Sequence, residues 1–121
     1  AWLTLTTLAA PAWAAQPTKS GPPPADRRAD AEAHYRSGLE LFESGNREQA
    51  LVEFRLAHEL LPSHDAIFMM AQCEYHLGLL KEARGHYEQY LAHDGKGPLA
   101  QVAELRIHAI DHRTAVSEIY T

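Results

Sequence analysis

The sequence predicts an all-α fold of antiparallel helix hairpins, stacked as two repeats and closed by a C-terminal capping helix, behind a disordered N-terminal tail. Three observations carry this. Residues recur at a period of 33: Gly45, Ala50 and Phe54 return as Gly78, Ala83 and Tyr87, while Gly38 falls on Ala71 and Ala57 on Tyr90. A fixed period of this length marks a stacked array, because one hairpin cannot bury its own apolar face and must lean on a neighbour. Small residues at Gly38, Ala50 and Ala57 let paired helices approach closely, and Phe54 and Tyr87 fill the gap between successive hairpins. Finally, Gly45, Pro62, Gly78 and Pro98 punctuate the chain where helices must end or begin.

Taken in order, residues 1–15 are apolar and uncharged and end in Ala12-Trp13-Ala14. That is the small-x-small pattern of a secretory signal peptide, here without an initiator Met or a basic n-region, so it reads as a truncated signal. The stretch is shorter than the ~20 apolar residues of a membrane span and is followed at once by polar Gln16. Residues 16–30, with Pro22, Pro23 and Pro24, read as an extended linker.

The helical domain is expected over residues 31–114, with repeat 1 at 31–63, repeat 2 at 64–96 and the capping helix at 97–114. The first helix should run from about Ala31 to Ser44, with Gly45 supplying the left-handed terminating residue. Asn46, with Gln49 three residues on, suggests a capping box for the second helix, whose apolar face holds Leu51, Phe54, Leu56, Ala57, Leu60 and Leu61. Pro62 and Ser63 make the turn, and Ser63 is a candidate N-cap for a third helix reaching Leu77, with Asp65 in its first turn. Gly78 closes that helix, a fourth covers about Leu80 to His93, and Pro98 opens the fifth. Residues 115–121 have weak periodicity and should fray. Glu32/Arg36 and Glu43/Arg47 have the spacing of surface ion pairs.

The two units carry a recognisable signature. The first reads His34-x2-Ser37-Gly38-x2-Leu41, then Ala50-x3-Phe54, Ala57 and Pro62; the second reads Ile67-x2-Met70-Ala71-x2-Glu74, then Ala83-x3-Tyr87. This resembles the tetratricopeptide (TPR) repeat family over about half of the chain. Ser37, Leu41, Glu74 and the missing second Pro depart from its pattern. The resemblance implies a concave working face lined by the first helix of each hairpin. Carried over by position, that face holds Tyr35, Leu39, Phe42, Phe68, Met69, Gln72, Tyr75 and His76, with Glu32, Arg36, Glu43 and Asp65 beside them. The family's carboxylate clamp is absent, since Tyr35, Leu39 and Met69 stand at its positions. The groove instead offers aromatic and aliphatic anchors for an apolar helix or extended segment. The structural alternative is that the fifth helix or a further repeat covers this stripe.

Other chemistry finds little support. The net charge of −5 and scattered basic residues argue against nucleic acid. Cys73 is alone, so no internal disulfide forms, and its neighbours Met70 and Ala71 mark it as a packed small residue. His108 and His112 stand one helical turn apart and faintly resemble the H-x-x-E-H zinc pattern, but Asp111 replaces the Glu and no third ligand is evident. A metal-dependent hydrolase on that pair is a remote alternative. No nucleophile elbow or phosphate loop is present, and neither a catalytic residue nor a cofactor is expected.

The expectation is a non-catalytic interaction scaffold of the bacterial cell envelope, exported to the periplasm or beyond, binding a protein or peptide partner and resembling exported bacterial TPR proteins. The alternative is a self-associating module, or the N-terminal part of a larger envelope protein.

Overall fold

The computed structural model describes residues 24–119; the signal-like segment and most of the expected linker lie outside the described residues. Within that range the chain forms five α-helices: α1 (Pro24–Glu43), α2 (Arg47–Leu60), α3 (His64–Leu77), α4 (Leu80–His93) and α5 (Pro98–Ile119). Each helix packs on the next, α1 with α2, α2 with α3, α3 with α4 and α4 with α5. The first four form two hairpins, and α4 repeats α2 with a displacement of 33 residues at both ends.

The turns show why the period holds. Gly45 and Gly78 have φ of 89° and 79°, the left-handed region that costs glycine nothing. Asn46 N–H then reaches back to the Leu41 carbonyl at 2.9 Å, and Leu79 N–H reaches the Glu74 carbonyl at 2.9 Å. These are matching Schellman closures, each satisfying carbonyls that the helix end would leave orphaned.

Asn46 departs from the expected capping box: its side chain makes no cap hydrogen bond. Its φ of −81° and ψ of 66° are those of an inverse γ-turn, in which Arg47 N–H donates to the Gly45 carbonyl at 3.0 Å. Leu79 adopts the same conformation (−81°, 67°), so the backbone sets this junction without help from a polar side chain. Ser63 does cap α3: at φ −146° and ψ 138° its hydroxyl accepts from Ala66 N–H at 3.2 Å.

Two further boundaries need correction. The helix expected from Ala31 begins at Pro24, inside the stretch assigned as linker. Proline suits a first helical turn because its missing N–H would be unpartnered there, and Asp26 complements the helix dipole. The terminal residues expected to fray are helical as far as Ile119, and α5 runs past the expected Thr114. No Gly or Pro interrupts that run, and residues 111–119 are exposed, so this end of the helix shows no apolar period. The Glu32/Arg36 and Glu43/Arg47 pairs do not close to ion-pair distance. Gly45 places Glu43 and Arg47 on different helices.

The core comprises two clusters. Ala50, Leu51, Phe54, Met70 and Cys73 join the first hairpin to α3, with Tyr35, Leu39, Leu41, Phe42 and Leu77 packed around them. Ile67, Phe68, Ala71, Ala83, Tyr87, Tyr90, Ala103 and Ile110 join the second hairpin to α5. Met69 packs against both clusters. The recurring positions are buried: Gly38 and Ala71, Ala50 and Ala83, Phe54 and Tyr87, Ala57 and Tyr90. A Cβ built on Gly38 would lie 2.7 Å from the Phe54 ring, so α1 approaches α2 more closely than alanine allows.

Candidate functional site

The stripe expected on the first helix of each hairpin divides into a cleft, a buried middle and a basic, aromatic end. The cleft, about 390 Å³, lies between α1, the end of α2 and the start of α3. Tyr35, Leu39 and Leu61 give it apolar walls, and Glu32, Arg36 and Asp65 stand among its lining residues. Tyr35 is held in place by an edge contact with Phe54, ring centroids 5.4 Å apart. Partial burial, then the negative charge of Asp65, raises the Tyr35 phenol above its ordinary pKa, so it enters the cleft as a neutral donor.

The middle of the stripe is not open. Phe68, expected as an anchor, is 4% exposed and packs on Tyr87 and Tyr90 at 5.9 and 5.2 Å. Its position on α3 turns it toward α4, so it belongs to the core. Met69 is partly buried between the clusters, and Gln72 accepts the Tyr87 hydroxyl proton. Desolvation also raises the Tyr87 phenol, which keeps it a donor. Tyr75 is partly buried beneath Arg106 of α5, whose guanidinium carbon lies 4.4 Å from the ring centre. The fifth helix therefore covers part of the expected surface.

At the far end, Phe42, Tyr75 and His76 meet. The exposed His76 ring makes edge contacts with Phe42 and Tyr75, both at 5.7 Å. Arg47 lies over the Phe42 ring at 5.3 Å. Burial, then the charges of Arg47 and Arg106, lowers the His76 pKa below its ordinary 6.5. Nothing in the sequence pairs Arg47 with Arg106, yet the charges of both act on His76.

Comparison with known proteins found no matching family model, curated protein or solved structure.

Several histidines have partners that the sequence did not reveal. Glu74, fully buried, places Oε2 2.7 Å from His86 Nδ1 and Oε1 3.8 Å from Arg55, so one carboxylate links α2, α3 and α4. His34 Nδ1 lies 2.6 Å from Glu53 across α1 and α2, and His58 Nδ1 accepts from Ser63 N–H at 3.2 Å. His64 and His93 stack at 3.2 Å with planes 8° apart, so their in-plane nitrogen lone pairs do not converge. Among the described residues, no group of three or more His, Cys, Asp or Glu is arranged to hold a metal. His108 and His112 are exposed on α5, and the intervening Asp111 accepts from Arg84 Nε at 2.8 Å. Burial, then the neighbouring Glu74 charge, pushes the Cys73 thiol up to about 12, which leaves little thiolate for nucleophilic work.

Proposed function

We propose that this protein is a non-catalytic binding module of the tetratricopeptide type, which holds a protein segment in the cleft between α1 and α3. The observation that carries this reading is the apolar hollow of about 390 Å³ walled by Tyr35, Leu39 and Leu61. Concave sites of this size with apolar walls and a few polar groups are the usual form of a binding pocket. Its walls come from three helices held by buried contacts, so it is formed before anything binds.

Peptide-display selection on the full chain, followed by calorimetry on the enriched sequences, tests the cleft. The informative variant is Tyr35→Ala with Leu61→Ala, since both side chains line the cleft and Leu61 is exposed. Affinity should fall about tenfold or more, corresponding to ~1.4 kcal/mol or more, with helicity unchanged. Enriched peptides that bind this variant as well as wild type would move the site elsewhere.

Export to the cell envelope is part of the same proposal and rests on the Ala12-Trp13-Ala14 pattern. Mass spectrometry of the protein expressed with its native leader should find a mature N-terminus following Ala14; an intact leader on protein retained in the cytoplasm would refute it.

Self-association is a second reading, favoured by Leu105, Val116 and Ile119 on α5, which are exposed at 68%, 37% and 76%. Light scattering of Leu105→Glu, Ile119→Glu and wild type decides it: wild type alone should rise in mass with concentration.

A further inference from the structure

Arg47, Phe42, His76, Tyr75 and Arg106 form one ladder of three rings between two guanidinium groups, drawn from α2, α1, α3 and α5. Successive spacings are 5.3, 5.7, 5.7 and 4.4 Å, each between a guanidinium carbon and a ring centre or between two ring centres. We propose that this ladder docks an acidic protein segment, with partner carboxylates on Arg47 and Arg106. The proposal rests on the reading that the concave face binds a protein, and it states which chemistry is read there.

Charge is the argument for the occupant. The whole chain carries −5, yet among the described residues neither cation at the ends of this ladder has a carboxylate within ion-pair distance. Glu48 lines the recess beside Arg47 and does not reach it. Among the described residues, Arg47 Nε is buried and has no hydrogen-bond acceptor. A guanidinium over an aromatic face keeps its in-plane N–H donors, whose fork matches a carboxylate. Both guanidinium charges also reach His76 between them, so the positive field spans the ladder. Beside Arg47 a recess of about 360 Å³, lined by Asn46, Gln49, His76 and Leu77, gives an incoming side chain room to enter.

Two fluorescein-labelled peptides test the proposal by anisotropy on the full chain. One repeats Glu-Leu-Pro, which stays extended; the other repeats Gln-Leu-Pro. The Glu peptide should bind about tenfold or more tightly than the Gln peptide, and weaken as NaCl rises from about 0.05 M to about 0.3 M. Arg47→Gln with Arg106→Gln should erase the difference between the peptides, while each single variant reduces it and helicity is retained. Equal binding of the two peptides, no binding of either, or an unaffected double variant would overturn the ladder. Equal binding lost on Tyr35→Ala with Leu61→Ala would overturn the ladder and leave the cleft reading standing. Glu-selective binding that ignores that cleft variant and needs both arginines would do the reverse.

Discussion

Gly38 shows how one missing methyl group sets the distance between two helices. Alanine has the better helix propensity by about 1 kcal/mol, but its Cβ would lie within 2.9 Å of three atoms of the Phe54 ring. Overpacking of that kind costs ~1–3 kcal/mol, so the clash should win. Urea unfolding of Gly38→Ala should show a net loss of about 1 kcal/mol, and combining it with Phe54→Leu should cost less than the two changes summed. Additive losses would mean the ring moves aside freely. The need for a small residue at this position was legible in the 33-residue period. The burial of Glu74 was not: a carboxylate on a helix reads as surface until Arg55 and His86 arrive from α2 and α4.

For the helices as units, Ser63 and Asn46 look alike on paper and behave differently. Ser63→Ala removes a cap bond and should lower stability by about 1 kcal/mol, whereas Asn46→Ala should change it little, because Leu79 opens α4 with the same backbone and no polar side chain. Paired denaturation curves would show it, and equal losses would contradict the γ-turn account. The Glu74 link makes a second contrast. His86→Ala strands a buried charge beside a distant Arg55 and should cost ~3 kcal/mol, while Glu74→Met removes the charge and leaves two partners that water can reach. The methionine variant should therefore be the more stable of the two in urea. Helix starts and lengths were the least legible features in the sequence, since the first turns of α1 and the end of α5 are exposed and so show no apolar period.

The molecule as a whole should lose stability toward acid in two stages. His76 has a lowered pKa, so folding favours its neutral form; that contribution is complete above about 6.5 and is lost as pH falls through the lower folded value. Asp111 is also lowered, chiefly by its hydrogen bond to Arg84, so the α4–α5 tie persists above the ordinary carboxylate range and is lost in stronger acid. Melting temperatures between about pH 7.5 and about pH 5 should fall less steeply for His76→Gln than for wild type. Identical slopes would show that neither burial nor the two arginines lowers the His76 pKa on folding. The proposed site was half legible at this scale: Tyr35, Leu39 and Phe42 could be placed on one helix face, while Arg47 and Arg106 are contributed by helices whose arrangement no local pattern encodes.

Met69 belongs to both clusters at once, and this determines how the molecule can come apart. Loosening either hairpin strips one flank of the same thioether, and Met70 and Cys73 of α3 add further contacts to the first hairpin, so the two halves should melt together. Native-state hydrogen exchange should accordingly release the central amides of α2 and α4 at a common rate, as a single cooperative block. Met69→Ala should break that synchrony before it unfolds the protein.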